Sequence, residues 1–403
     1  MAVLTFAAAR ERVLAGVGPI ERKEEIEVAA GLGRVLAAPI VAPIDVPNHD
    51  NSAMDGYGVR LADLSPERET TLTVMADLPA GDRLQRPLAA GEAVRIMTGA
   101  PIPADCDCVV MQEVVRRTGN QVTIPTGQKI NQNIRPAGED MRAGSRILEQ
   151  GRCLTPADLG LITSLGLTTL PVVERVRVAL LSTGNELQIP GSPLPPGHVY
   201  DSNRATLRAA LQAMGVTVID LGLVRDDREQ IQTALREGAA RADAVISTGG
   251  VSVGDYDLVK EVLQQEGEIN FWKVAMKPGK PQAYGRLGRA AFFGLPGNPV
   301  SCLAVFLLMV RPALLRMMGA TPEPDRRLRL PLRGRLKKKH DRVDFQRGVV
   351  HFDVDGPWVE STGAQGSGIL TSMSRANAFI VLPPAPVAIE EGEMVEVWLI
   401  DYA

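Results

Sequence analysis

From Val176 onward the sequence alternates short apolar runs with helix-length segments, and few architectures accept that alternation. Val176–Leu181 reads as a strand, apolar except for Arg177. Helix Ser202–Met214, strand Val216–Leu221, helix Asp227–Ala240, strand Ala244–Ile246 and helix Asp257–Gln265 follow in turn. The series closes on a helix over Pro299–Met318, with Asn298 at the N-cap and Pro299 at the first helical position. Strands separated by helices predict an α/β domain built on a mostly parallel sheet.

The chain has 403 residues, too many for one ordinary core, so two to four domains are expected. Residues 5–16, 21–37 and 154–165 predict helices from their spaced apolar positions. Between Pro39 and Pro136, Pro and Gly punctuate short apolar runs such as Leu72–Met75 and Ala93–Met97, a β-rich texture. After Pro324 short strands and turns return and run to Trp398–Ile400, which predicts a small C-terminal β domain.

Composition narrows the function classes. With 44 Lys and Arg against 47 Asp and Glu the net charge is −3, which argues against a general nucleic-acid binder. The pair Cys106 and Cys108 has neither zinc-knuckle nor redox spacing, and Cys302 sits in an apolar helix, so reduced structural thiols are expected. The start Met1–Phe6 lacks the pattern of a signal peptide, and the apolar stretch Val300–Val310 is too short to span a bilayer. A soluble, cytoplasmic protein with no membrane contact is the expectation.

In open parallel sheets ligands bind beyond the carboxyl ends of the strands. Three such ends here are rich in Gly, Ser, Thr and Asn: Ser182-Thr183-Gly184-Asn185-Glu186, Ser247-Thr248-Gly249-Gly250-Val251-Ser252-Val253-Gly254-Asp255-Tyr256-Asp257, and Gly294-Leu295-Pro296-Gly297-Asn298-Pro299. Unpaired N–H groups at such loops hold phosphate without cationic side chains, and glycines let the backbone approach the ligand. The loops also carry Glu186, Asp226, Asp227, Asp255 and Asp257, acids that suit a hard cation against phosphate. Asp227 and Asp255 serve equally well as helix-start residues. Lys273, Lys277 and Lys280 frame the rigid Pro278-Gly279 turn and read as a clamp for phosphate or an oxyanion. In the β-rich region Asp55, before Gly56, and Thr98 are candidate polar reactants. The basic run Arg326–Arg342 reads as a solvated face, whereas Arg342–Gly348 and Gly366-Ser367-Gly368 are better site candidates.

The ordered motifs Asn48–Val59, Met97–Pro101, Gly138–Asp140, Ser182–Glu186, Tyr200–Arg204, Ser247–Gly254, Lys277–Pro281, Gly294–Pro299 and Gly366–Gly368 resemble the molybdopterin molybdenumtransferase family, which includes the E domain of gephyrin. The resemblance covers nearly the whole chain. It implies a discontinuous linker domain (1–45 and 137–173), a β-rich insert or lid (46–136), an α/β molybdopterin-binding domain (174–321) and a C-terminal β-barrel-like domain (322–403). It implies a homodimer with a composite active site, in which Asp55 and Thr98 come from the partner subunit. Glu186, Asp226, Asp257, Lys273, Lys277 and Ser367 would line the main site. Thr183, Gly184, Ser247, Gly249, Gly250, Ser252, Gly254, Lys280, Pro296, Gly297, Asn298 and Pro299 would contact the pterin substrate, and Glu186 and Asp257 would hold Mg²⁺.

The implied reaction inserts molybdate into adenylylated molybdopterin, with Mg²⁺-dependent hydrolysis of the adenylate and release of AMP. Transient contact with molybdopterin adenylyltransferase and molybdoenzyme chaperones is implied as well. Two other readings are a molybdopterin adenylyltransferase, against which the β-rich insert and C-terminal domain argue, and a gephyrin-like scaffold. The chain departs from the family pattern at Asn185, where an Asp is usual. The pair Asp255 and Asp257 leaves open which acid meets the metal, and molybdate is not distinguished from tungstate.

Overall fold

The computed structural model describes residues 3–250 and 258–402, with the side chains of 258–260 excluded. The α/β unit is built on a seven-stranded sheet in the order Val3–Leu4, Glu268–Val274, Pro281–Leu287, Ala290–Leu295, Ala244–Thr248, Arg177–Thr183, Thr217–Val224. The last four strands are mutually parallel. Alternate residues of Arg177–Thr183 serve opposite faces. Val178 and Leu180 pack with Leu207 and Leu211 of helix Ser202–Ala213. Ala179 and Leu181 pack with Ile231 and Leu235 of helix Arg228–Arg241. Both faces are therefore covered, which is why this strand reads as a continuous apolar run.

The sheet is mixed rather than simply parallel. Pro281–Leu287 pairs antiparallel with both its neighbours. It joins Ala290–Leu295 through Gly288-Arg289, with Gly288 at φ +57°, and a two-residue turn cannot make the crossover that parallel strands need.

The predicted last helix is one apolar rod with an interruption. Pro299–Val305 and Arg311–Met317 are α-helical, and Phe306–Val310 between them is a π turn. Pro312 has no N–H and its ring would meet the carbonyl four residues back; the wider turn before it relieves both problems. The rod spans the expected helix to within one residue, and at 19 residues the whole of it, beyond the apolar stretch Val300–Val310, is long and apolar enough to cross a membrane. Its most apolar window is 72% buried against the sheet, as in a core helix.

Residues 21–37 do not form the expected helix. Lys23–Glu27 is a strand paired antiparallel with Thr169–Val173, followed by a single 3₁₀ turn at Val28–Ala30. Gly31 and Gly33, the latter at φ +69°, stop any helix there, and pairing with a distant strand outweighs local propensity. Ile40–Val41 pairs with Arg146–Leu148, so chain on both sides of the insert shares one core containing Leu36, Ile40, Met141, Ile162 and Leu170. Helix Pro156–Ser164 starts in this core with Thr155 and Asp158 capping each other.

The insert is a six-stranded sheet in the order Cys108–Met111, Gly56–Val59, Glu92–Ile96, Thr70–Leu78, Gln121–Ile124, Arg116–Thr118. Cys106 and Cys108 are buried free thiols in it, and burial pushes them up to about 12 and about 11. In the C-terminal region, Val343–Asp353, Gly356–Ser361, Arg327–Arg333, Met394–Leu399 and Ala378–Leu382 close into a five-stranded barrel.

The start of the chain fastens the barrel to the α/β unit. Val3 and Leu4 pair in parallel with Lys273 and Val274. In the helix Phe6–Ala15, Ala9 and Val13 join the α/β core, Phe6 meets the rings of Phe345 and Trp398 at 4.8 and 5.9 Å, and Arg10 forks Asp325 at 2.7 and 2.6 Å.

Candidate functional site

Three strand ends of the parallel set converge. Ser182, Thr183, Ser247 and Thr248 finish two adjacent strands and are at most 3% exposed. The hydroxyls of Ser182, Thr183 and Ser247 are sealed from solvent and have no hydrogen-bond partner. Gly249 follows at φ +89°, and a Cβ there would lie 2.4 Å from the Thr183 carbonyl oxygen. Its Cα is 3.9 Å from where a Cβ on Gly297 would stand, so the first, second and third loops touch.

Asn203, in the first turn of Ser202–Ala213, stitches the second loop to the third. Its Nδ2 donates to Thr248 Oγ1 at 3.1 Å and to the Gly297 carbonyl at 2.7 Å. The helix itself is anchored by Asp201, which accepts from the Arg204 backbone at 3.1 Å. Asn203 belongs to the Tyr200–Arg204 motif but was not itself expected as a site residue; its signal in the sequence is an amide in the first turn of a helix otherwise facing the core.

The first loop is held from the side. Asn185 N donates to Asp226 Oδ2 at 3.0 Å, and Asp226 N donates back to Asn185 Oδ1 at 3.2 Å. Each residue's side-chain oxygen thus accepts from the other's backbone N–H, and the pair closes the loop reciprocally. Glu186 is exposed at the mouth, with its carboxylate folded back over Gly184. Ser252, Gly254, Asp255 and Asp257 of the second loop lie outside the described residues.

Replacing Gly249 with alanine forces a positive φ and a clash with backbone, a strain of about 1–3 kcal/mol. The expected result is a lower melting temperature together with weaker binding of the ligand that the three loops hold. A variant with wild-type stability and binding would show that this close approach is unimportant.

The lysine turn meets the barrel. Val274 N donates to the Lys280 carbonyl at 2.9 Å, and buried Gln282 donates to the Gly279 carbonyl at 2.8 Å. A Cβ on Gly279 would stand 2.3 Å from Val305 Cγ2, so the turn lies directly on the long helix. Met276–Lys277 pairs in parallel with Val343 and Asp344 of the barrel. Lys277 Nζ is 3.7 Å from Asp344 Oδ2. Lys273 lies on the second strand of the sheet, paired with Val3 of the edge strand, and Lys280 is exposed.

Ser367 reaches the same helix from the other side. Its carbonyl accepts from Val300 N at 3.1 Å, in the first turn after Pro299. Asn298 occupies the N-cap but makes no side-chain cap bond, and Pro296 before it is buried. The turn carrying Ser367 is tethered by Arg347, which is 1% exposed and donates to the Gly366 carbonyl at 3.1 Å and to Ser372 Oγ at 3.0 Å. Burial pushes the Arg347 guanidinium down to about 10, which leaves it cationic at neutral pH.

Between these parts lies a cavity of about 510 Å³ bordered by Lys277, Arg335, Lys337, Lys338, Lys339 and His340 together with buried Asp344. In the stretch Lys337–His340, which borders this cavity, Lys337 and Lys339 are exposed as expected of a solvated face, while Lys338 is buried. Lys338 is 4% exposed and donates to the Pro383 and Ala385 carbonyls; burial pushes its ammonium down. Proximity of Lys277 and Asp344 was invisible in sequence, because it depends on barrel pairing across more than sixty residues.

Asp55 and Thr98 form a separate unit in the insert. The backbone N and Oγ1 of Thr98 both donate to Asp55 Oδ1 at 2.8 Å. The backbone bond, then the hydroxyl, hold the Asp55 carboxyl below its ordinary range. Gly56 must follow, since a Cβ there would stand 2.2 Å from the Val110 carbonyl oxygen. Among the described residues no hydrogen bond or ion pair joins this unit to the three loops of the same chain.

Two acids and substrate phosphates suffice for Mg²⁺, which keeps several waters and rarely uses an all-protein cage. The exposed carboxylate of Glu186 at the loop mouth fits that role. Among the described residues there is no group of three His, Cys, Asp or Glu side chains able to hold a metal.

Three family profiles match the chain in order: MoeA N-terminal region (domain I and II) over residues 4–166, probable molybdopterin binding domain over 179–316, and MoeA C-terminal region (domain IV) over 329–400. The chain is 41% identical to a molybdopterin molybdenumtransferase of Haemophilus influenzae, covering 98% of each chain. It is 33% identical to one of Bacillus subtilis, covering 94% of this chain and 90% of that one. A solved molybdopterin biosynthesis moeA protein from Pyrococcus horikoshii OT3 superposes with a TM-score of 0.87 at 28% identity, over 99% of this chain and all of that chain.

Proposed function

The chain belongs to the molybdopterin molybdenumtransferase family and is a transferase, and from that premise we propose that it inserts molybdate into adenylylated molybdopterin, hydrolysing the adenylate and releasing AMP. The observation that carries this reading is that two unlike features are tied to one helix: a glycine-rich loop set suited to phosphate leads into its first turn, and the turn after Lys277, which packs on Val305, belongs to the strand end that borders a cationic cavity suited to an oxyanion.

In this reading the N–H groups of Gly250 and Gly297 bind the pyrophosphate and fix its orientation, on a loop base packed with the buried Thr183, Ser247 and Thr248. Pro296, Asn298 and Pro299 shape the third loop against the pterin. Glu186 and Asp257 would hold Mg²⁺, which would supply charge neutralisation at the phosphoanhydride. Lys277 neutralises the negative charge that grows as that bond breaks. Lys273 and Ser367 receive molybdate. Asp226 keeps the first loop closed through Asn185, and Lys280 adds positive potential at the rim. Asp55, oriented by Thr98, acts from the partner subunit of a homodimer. The buried thiols suit a reducing compartment, in keeping with a cytoplasmic location.

The test is an assay of the purified protein with adenylylated molybdopterin, molybdate and Mg²⁺. AMP release with formation of molybdenum-loaded cofactor is expected. Consumption of ATP with molybdopterin and release of pyrophosphate would instead mark an adenylyltransferase and overturn the proposal. Repeating the assay with equal tungstate and molybdate, and analysing the metal in the product, reports which oxyanion is preferred.

A further inference from the structure

The strand that carries the site lysines changes sheets at one residue. Glu268–Val274 belongs to the α/β sheet and Met276–Lys277 to the barrel sheet, with a bend at Ala275 between them. Lys273 therefore stands in one unit and Lys277 in the other. Val274 and Met276 on either side of the bend are fully buried and share one core with Phe345 and Trp398 of the barrel.

Both backbone polar groups of the bend are taken, one from each side. Ala275 N donates to the Leu4 carbonyl at 2.8 Å, and the Ala275 carbonyl accepts from Val343 N at 3.0 Å. The chain after Leu4 is fixed at once, because Thr5 caps the helix Phe6–Ala15, its side chain accepting from Ala8 N at 3.2 Å. Phe6 then meets two barrel rings, edge-on to Phe345 at 4.8 Å and tilted to Trp398 at 5.9 Å. Phe345 is fully buried and follows Asp344, whose carboxylate lies 3.7 Å from Lys277 Nζ. One turn along the helix, Arg10 forks Asp325 and its guanidinium lies 5.8 Å from the Trp398 ring.

Leu4 thus holds the bend from the α/β side, and Phe6, two residues on, holds the barrel that the bend enters. An anion bound by groups from two units needs both units in register, and a misplacement of about 1 Å at such a site is costly. We propose that Phe6 is a positioning residue for the oxyanion part of the site: by keeping the barrel against the bend it sets Lys277 and the Ser367 turn relative to Lys273. Phe6 itself touches no substrate. The proposal rests on the molybdate reading above.

The phosphate loops do not depend on this clamp. Asn203 ties the second loop to the third, and Asn185 and Asp226 close the first; none of these bonds involves residues 3–10. Loosening the clamp therefore acts on one ligand and spares the other.

The experiment is titration calorimetry of the full-length protein with sodium molybdate and, separately, with AMP as the probe of the phosphate loops. Hydrogen exchange of residues 270–277 is followed in the same proteins. In Phe6→Ala, exchange of this segment is expected to quicken. Its molybdate affinity is expected to fall about tenfold, the size of the lost ring contacts, while AMP keeps its wild-type affinity. Phe6→Tyr keeps the ring and is expected to restore both the slow exchange and the molybdate affinity. Arg10→Gln removes the fork to Asp325 and is expected to weaken molybdate about two- to fivefold, again without touching AMP. If Phe6→Ala does not fold, Arg10→Gln decides the matter by itself.

Equal loss of both ligands in a folded variant would mark a merely structural role and overturn the proposal. Unchanged exchange, unchanged molybdate affinity, or a Phe6→Tyr protein as weak as Phe6→Ala does the same. Failure of wild type to bind either ligand also overturns it, while the transferase reading is decided separately by AMP release.

Discussion

Lys277→Ala is expected to lower AMP release from adenylylated molybdopterin by about 100- to 1,000-fold, the range seen when a single preorganised charge-stabilising group is removed. The fold should survive. The turn that carries Lys277 is fixed by Val274 to Lys280 and Gln282 to Gly279 hydrogen bonds, none of which uses the ammonium. Asp344 keeps its bond from Gln346. Most of the loss should therefore appear in kcat, with little change in melting temperature. Lys277→Arg keeps the charge but changes a compact ammonium into a planar fork, and partial recovery is expected. Asp257→Ala, at the end of the second loop, should lose activity to a similar degree and should respond weakly to added Mg²⁺. Near-normal AMP release by both alanine variants would sink the assignment of the site.

The second large effect concerns subunits. Asp55→Ala and Lys277→Ala proteins should each be close to inactive alone, yet mixing them under conditions that exchange subunits should restore part of the activity. In a mixed dimer one site draws an intact Asp55 from one subunit and an intact Lys277 from the other. The same mixing of Glu186→Ala with Lys277→Ala should restore nothing, because both residues belong to one chain's loops and each site lacks one of them. Activity that stays absent in the first mixture, with dimer exchange verified, would place Asp55 outside a shared site. In the insert Thr98 fixes the Asp55 carboxylate, and among the described residues no hydrogen bond or ion pair joins the two to the three loops of their own chain.

Much of this was legible beforehand because it depends on local chemistry. Glycines with positive φ, such as Gly249 and Gly279, have to be glycine wherever the chain folds, so their loops announce themselves. The buried strands of the α/β unit are apolar on both faces and bounded by helices, a pattern that survives any detail of packing. Residues 21–37 misled because their spaced apolar residues suit a helix, while their fate was set by a strand over 140 residues away. The hairpin Pro281–Leu287 with Ala290–Leu295 was missed for a related reason: antiparallel and parallel core strands have the same composition.

The sequence by itself determined the strand-and-helix alternation, the three loops at its strand ends, the Lys-Pro-Gly-Lys turn and the order of motifs that marks the family, since each needs particular residue types within a short span. Only the tertiary structure decided which of those groups meet. It brought Asn203 between two loops, set Lys277 against Asp344 and the basic run, and hung Ser367 on the first turn of the Pro299 helix. Those meetings depend on strand pairing and barrel closure between residues far apart in the chain, and no local propensity encodes a distance of that kind.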